Sequence, residues 1–331
     1  MSSTKLHATY QALSPDVVLN AIESQGFEVN ASILGLNSYE NRVYQVGLEN
    51  GQYIIAKFYR PERWSNAQIL EEHAFSESLF QNEIPIVAPI KNTQGQSLFV
   101  FEGYRFALFP RKGGYAPEPG DLKQLERLGT LLGRIHQHSA GQQFQFRPTY
   151  SIERLFKEPV AFLLKENFIP EHFIASYKSI CNILLEKITL QTGNFKHYKM
   201  IKCHGDWHLG NILWLEESGG HIVDLDDCMN APAIQDIWMM LSGDKPEQAL
   251  QLEAVLRGYK HFCDFDYSQV KLIESLRTMR IIHYSAWLAK RWSDPAFPQN
   301  FPWFDSPSYW QQHIRELEEQ IALIDSDIFS E

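Results

Sequence analysis

The segment Lys112-Gly-Gly-Tyr-Ala-Pro-Glu-Pro-Gly120 separates two stretches of chain whose apolar residues follow different periods. Glycine and proline at this density continue neither a helix nor an interior strand, so the segment reads as a connector. Ahead of it lie short β-rich runs. Beyond it Leu125, Leu128, Leu132 and Ile135 recur at helical spacing along one face. The predicted organisation is a two-lobed α+β fold: residues 1–110 form a small β-sheet lobe with helix, and residues 111–331 a mainly helical lobe. With 331 residues the chain has material for about two domains and needs no disulfide or metal to complete a core.

Local signals fill in the first lobe. Ser14-Pro15-Asp16 supplies a cap, a first-turn proline and an acid at the positive end of a short helix, which Gly26 closes. Two β-rich runs, around Val43 to Leu48 and Tyr53 to Tyr59, meet at Asn50-Gly51, a hairpin signal because both residues tolerate positive φ. Ser65 and Gln68 have the spacing of a capping box, opening a helix that runs to about Asn82. A second hairpin follows from Leu98 to Phe109. The expected order is helix, then β-β-α-β-β. In the second part, residues 151–198 and the last hundred read as helical, and a β-like pair brackets Asp206 and Asp224.

Charge narrows the function classes. Thirty basic and 40 acidic residues leave −10 at neutral pH, which argues against nucleic acid or an anionic membrane as partner. The uncharged stretches are too short for a membrane helix. No basic-then-apolar leader is visible at the N-terminus, so a cytoplasmic protein is expected. Cys181, Cys203, Cys228 and Cys263 form no C-x-x-C pair and read as reduced thiols.

The chemistry concentrates in His204-Gly-Asp-Trp-His-Leu-Gly-Asn211 and Ile222-Val-Asp-Leu-Asp-Asp227. Phosphoryl transfer from ATP needs a carboxylate that orients the incoming hydroxyl and accepts its proton. It also needs an amide oxygen and a second carboxylate to hold Mg2+ against the phosphates. Asp206 and Asn211 have the Asp-x-x-x-x-Asn spacing of a kinase catalytic loop, and Asp224 follows an apolar strand-like pair. An independent set precedes them in the required order: Lys57 on a predicted strand, for the α/β-phosphates, and Glu72 on the next helix, to hold that lysine.

Together these motifs resemble the kinase-like superfamily that includes aminoglycoside phosphotransferases and choline kinases, where glycine precedes the catalytic Asp. Within it the chain more closely resembles a bacterial stress-response branch of serine/threonine protein kinases. The words that carry the likeness are Leu36-Asn-Ser-Tyr-Glu-Asn-Arg-Val-Tyr-Gln45, Lys57-Phe-Tyr-Arg-Pro-Glu-Arg-Trp64, His204 to Trp214, Val223 to Asp227 and Asp294 to Trp303.

The resemblance implies Asp206 as proton acceptor, Asn211 and Asp224 as Mg2+ ligands, Ser38 over the ATP phosphates and Lys57 on the triphosphate. Glu72 rather than Glu71 would partner the lysine, and Leu108-Phe109-Pro110 would be the hinge that meets adenine. Asn37 to Arg42 holds no glycine, so side chains such as Ser38 and Arg42 would assist the backbone there. Between Asp224 and Asp236 there is no Ser, Thr or Tyr, so the metal-binding loop is expected to fold without phosphorylation. The expected substrates are Ser/Thr residues of proteins in a stress response, and the expected state a monomer. A small-molecule kinase and a non-catalytic nucleotide-binding regulator are the rival readings.

Neighbouring residues invite simpler explanations. His204 reads as a buried brace for the loop rather than a zinc ligand with Cys203 and His208, because the H-E-x-x-H pattern is missing. Asp226 could share a strand face with Asp224, but both Asp226 and Asp227 read better as solvated or hydrogen-bonded turn residues. Asp236 is expected to anchor the loop backbone, and the aromatic Pro295 to Phe304 stretch to be packing.

Overall fold

A computed structural model describes residues 10–217 and 219–326. The elements up to the connector are α1 (Pro15–Glu23), β1 (Val29–Gly35), β2 (Arg42–Leu48), β3 (Tyr53–Phe58), α2 (Asn66–Gln81), β4 (Phe99–Phe101) and β5 (Tyr104–Pro110). Then come α3 (Leu122–His138), α4 (Glu158–Lys165), α5 (Glu171–Thr192), β6 (Ile201–Cys203), β7 (Ile212–Leu215), β8 (Gly219–Ile222) and β9 (Met229–Ala231). Among the described residues four α-helices follow: α6 (Lys245–Tyr259), α7 (Ile273–Lys290), α8 (Ala296–Asn300) and α9 (Pro307–Leu323). The chain forms two compact units. One comprises residues 10–117 with Phe144–Arg147 and Gly210–Asp227, the other Glu118–Gln143, Pro148–Leu209 and residues 228–326.

The first unit is built on an antiparallel sheet in the order β1-β2-β3-β5-β4. β2 and β3 join through a loop in which Gly51 has φ +79°, and Ser65 and Gln68 form the capping box at the start of α2. The expected four strands are five. β1 lacks the alternation that would announce it: most of its residues are exposed, and a bulge interrupts its pairing with β2.

Strand parity then divides the side chains between two faces. Ile54, Ala56 and Phe58 of β3, with Tyr104, Phe106 and Leu108 of β5, pack against Val18, Ala21 and Ile22 of α1. The alternate residues turn the other way. Ala107 and Phe109 of β5 pack with Tyr59, Trp64 and Ile69, and Lys57, whose Cα partners are Val43 and Ala107, falls on that face of a central strand. A cation is thereby placed in the interior, 6% exposed.

In the second unit α3 and α6 approach closely. A Cβ on Gly129 would lie 2.0 Å from the carbonyl oxygen of Val255, and one on Gly133 would lie 2.5 Å from that of Tyr259. This approach lets His136 of α3 reach the Tyr259 hydroxyl at 3.0 Å. β6 pairs antiparallel with β9, Cys203 opposite Met229. All four cysteines are free thiols, and among the described residues no helix is long and apolar enough to cross a membrane.

Candidate active site

In the first unit, Lys57 gathers the acids. Its Nζ is 2.9 Å from Asp224 Oδ1, 3.3 Å from Asp226 Oδ1 and 3.9 Å from Glu72 Oε1. Although burial opposes a charged amine, these carboxylates hold the Lys57 pKa well above its ordinary value. Burial pushes Glu72 up to about 7 while Lys57 pulls it down. Glu71 faces elsewhere: its carboxylate accepts the backbone N–H groups of Gln145, Phe146 and Arg147 at 2.5, 2.8 and 2.7 Å. Of the two neighbouring acids, the structure brings Glu72 to the lysine.

The β7–β8 hairpin brings Asn211 and Asp224 together. Ile212 pairs with Ile222, and one step beyond, Val223 N–H donates to the Asn211 carbonyl at 3.0 Å. Asp224 then takes φ +60°, a left-handed conformation that Asp tolerates better than most residues. Its side chain is 49% exposed, whereas that of Asp226 is buried. The half-exposed Asp224 carboxylate and the Asn211 amide are hard oxygen donors of the kind Mg2+ takes beside phosphate and water. Oε2 of Glu72, buried, accepts no hydrogen bond, so the cluster has acceptor capacity left for a cation. The donor set fits the metal.

Asp226 and Asp227 lie in a 3-10 turn, Leu225–Asp227, and not in a strand. The hydrogen-bonded reading holds for both, but Asp226 is not solvated. Arg63 reaches Asp226 and also Asp227, the latter at 2.5 Å, and Arg147 donates to the Asp226 carbonyl while lying 4.0 Å over the Trp64 ring. Burial alone would raise the Asp226 pKa; Lys57, Arg63 and Arg147 instead hold it below the usual carboxylate range. Sequence reasoning gave Arg63 and Arg147 no role. Arg63 does stand in the Lys57–Trp64 word, while Arg147 carried no signal.

The glycine-free loop is braced by arginines. Arg60 donates to the carbonyls of Glu40 and Tyr39 at 2.8 and 3.0 Å, and its backbone N–H donates to Asn41 at 3.0 Å. Arg42 lies 4.6 Å over the Tyr10 ring and donates to the Tyr39 carbonyl at 3.4 Å. Ser38 is half-buried in the same loop. Phe109, on the Lys57 face of β5, meets His73 edge-on at 6.4 Å.

In the second unit the catalytic-loop motif is fastened from below. Gly205 has φ +85°, open to glycine without strain. His204 N–H and Gly205 N–H both donate to the Asp236 carboxylate, at 2.7 and 2.8 Å. Gln235 donates to the Gly205 carbonyl at 2.9 Å, and His204 Nδ1 accepts from Asp206 N–H at 3.3 Å. His204 is thus the buried brace expected of it, and Asp236 the anchor. His136 Nε2 also sits 3.2 Å from Asp236, a contact that sequence reasoning did not foresee. Ligand atoms of His136, Cys203 and Asp236 lie within 4.8 Å of one another. Yet Asp236 is committed to backbone N–H groups and burial pushes the Cys203 thiol up, so the cluster is suited to holding a loop rather than a metal.

Asp206 itself is flanked by bases. Arg280 Nη1 is 2.7 Å from Oδ1 and His208 Nε2 is 3.4 Å from Oδ2. Burial would raise its pKa, but His208 and Arg280 hold it below the usual range, so Asp206 is a carboxylate at neutral pH.

The sequence profile of the phosphotransferase enzyme family matches residues 32–273, and the chain belongs to that family. Its two-lobed α+β fold is the protein-kinase-like fold, and the chain is a kinase. Among its relatives is stress response kinase A of Escherichia coli (strain K12), 42% identical over 96% of this chain and 95% of that protein. Another, from Salmonella typhimurium, is named serine/threonine protein kinase RdoA, again 42% identical with the same coverage. Of solved structures, the amicoumacin kinase hAmiN in complex with AMP-PNP and Ca2+ superposes with a TM-score of 0.70 at 18% identity, covering 93% of each chain. Choline kinase LicA from Streptococcus pneumoniae superposes with 0.62 at 14% identity, covering 93% of this chain and 98% of that one. These last two establish the likeness of fold.

Proposed function

We propose that this kinase transfers the γ-phosphoryl group of ATP, with Mg2+, to Ser and Thr hydroxyls of cytoplasmic proteins in a stress response. Residues 1–110 clamp the nucleotide and residues 111–331 carry the acceptor chemistry. The reading is carried chiefly by the convergence of buried Lys57 and Glu72 with the half-exposed carboxylate of Asp224. Lys57 binds the triphosphate, Glu72 steadies it, and Phe109 with its strand backbone meets the base. Ser38, with Arg42 nearby, covers the phosphates. Asn211 and Asp224 hold Mg2+, which when bound offsets phosphate charge.

Asp206 orients the acceptor hydroxyl and takes its proton. One P–O bond forms to the acceptor oxygen as the bond to the ADP oxygen breaks, giving ADP and a phosphate ester. A carboxylate of depressed pKa suffices, because a loose phosphoryl-transfer transition state asks mainly for positioning and late proton acceptance. The name of one 42%-identical relative, serine/threonine protein kinase RdoA, favours a protein acceptor. The acceptors in the names of the structural neighbours favour the second reading, a small-molecule kinase.

Incubation with γ-labelled ATP and a size-fractionated cell lysate separates the two. Label in macromolecular fractions is the expected result. Label confined to small molecules would establish the second reading, and no transfer to either fraction, with ATP still bound, would leave a nucleotide-binding regulator.

A further inference from the structure

We propose that Arg280 is a specificity-determining residue that selects acceptors by charge, favouring a hydroxyl flanked by carboxylates in a polypeptide over one carried with an amine. The proposal rests on reading Asp206 as proton acceptor and a protein as substrate.

The geometry around Asp206 carries it. Both carboxylate oxygens have basic partners, Arg280 on Oδ1 at 2.7 Å and His208 on Oδ2 at 3.4 Å. The Asp206 side chain is only 23% exposed, while Arg280 is 45% and His208 40% exposed. An arriving acceptor therefore meets positive charge around a recessed carboxylate. One helical turn earlier on α7, Arg277 pairs with Glu274 at 3.2 Å and lies 5.1 Å over the Trp238 ring, a cation already matched on its own helix. Arg280 is matched by Asp206.

To hydrogen-bond Asp206, the acceptor hydroxyl has to come to an oxygen that Arg280 or His208 already engages, either sharing that oxygen or displacing the partner. A guanidinium carries five N–H donors in a planar fork and can exchange one carboxylate for another bidentately. A carboxylate beside the acceptor hydroxyl gives Arg280 that second partner and frees Oδ1. An ammonium group in the same place offers no acceptor and repels the guanidinium. The net charge of −10 works in the opposite sense, attracting cations at long range. A preference for acidic acceptors would thus have to arise locally, at Arg280.

The test uses the full chain and two matched acceptor pairs. One pair is a Ser/Thr peptide with Asp and Glu, or with Lys and Arg, beside the acceptor; the other is glycolate and ethanolamine. Expected is a kcat/KM ratio favouring the acidic peptide by about tenfold or more, falling toward unity in Arg280→Gln and retained in Arg280→Lys. Thermal melts confirm that both variants fold, and the ratio between acceptors is a readout that loss of structure alone does not move. If peptides are labelled with the same ratio in wild type and Arg280→Gln, the charge filter is wrong and the protein-kinase reading stands. If peptides are not labelled but glycolate outperforms ethanolamine and Arg280→Gln removes that difference, the filter stands and the protein acceptor is wrong. Efficient labelling of ethanolamine alone overturns both.

Discussion

Lys57 and Asp224 are 167 residues apart in the chain, yet their side chains meet at 2.9 Å. The amine assigned to the triphosphate and the carboxylate assigned to Mg2+ neutralise each other. Because Glu72 and Asp226 also face Lys57, the amine stays charged when either neighbour turns to another partner. The cluster can accordingly receive a metal–nucleotide complex without stranding a buried cation, the most costly outcome for such a group.

Asp224→Ala should separate metal binding from folding. Lys57 keeps two carboxylates, so the unfolding transition moves little. Mg2+-dependent nucleotide affinity should fall about tenfold or more, as for loss of a charged interaction of about 1.5–3 kcal/mol. Calorimetric titration of ATP with and without Mg2+ measures it; an unchanged Mg2+ effect would remove Asp224 from the metal site.

Asp206→Asn keeps the side-chain shape and removes the proton acceptor. Turnover should drop about 10²–10⁴-fold while nucleotide affinity holds. Single-turnover transfer from labelled ATP reports the first and titration the second. Near-normal transfer by this variant contradicts the role assigned to Asp206.

Glu72 predicts a pH dependence of stability with a definite sign. Burial raises its pKa to about 7 from the ordinary 4.5, against the pull of Lys57. The folded state therefore binds the Glu72 proton more tightly than the unfolded chain does. The stabilising contribution of that proton is fully present below about 4.5 and is lost as pH rises to about 7. Urea unfolding with a chelator present, from pH 5 to 8, should give a flatter pH profile for Glu72→Gln than for wild type. Parallel profiles for the two proteins would show that Glu72 titrates normally.

The α3–α6 approach predicts an effect at a distance within the second unit. Gly129→Ala places a Cβ 2.0 Å from the Val255 carbonyl oxygen, and relief of that overlap should cost about 1–3 kcal/mol. Since α3 also carries His136 to Asp236, turnover should fall along with the melting temperature. A variant as stable as wild type would mean that the helices part without penalty.

Much of the scaffold was readable because its causes are local. The Ser14 and Ser65 caps, the turn at Gly51 and the parity that turns Lys57 away from Ile54 and Ala56 each depend on a few adjacent residues. β1 escaped because it is held by pairing with β2, and its own side chains are mostly exposed. The glycines that bring α3 against α6 are legible only beside the carbonyls they touch.

The acids followed the same division. The order and spacing of Lys57, Glu72, Asp206, Asn211 and Asp224 were sufficient to indicate phosphoryl transfer, because that chemistry demands those groups on those kinds of element. Sequence order could not reveal that Asp226 is buried between Lys57 and Arg63, or that Arg280 lies on Asp206. Ionic partners are chosen by distance and solvent exposure, and for residues far apart in the chain both are created only when the tertiary structure closes.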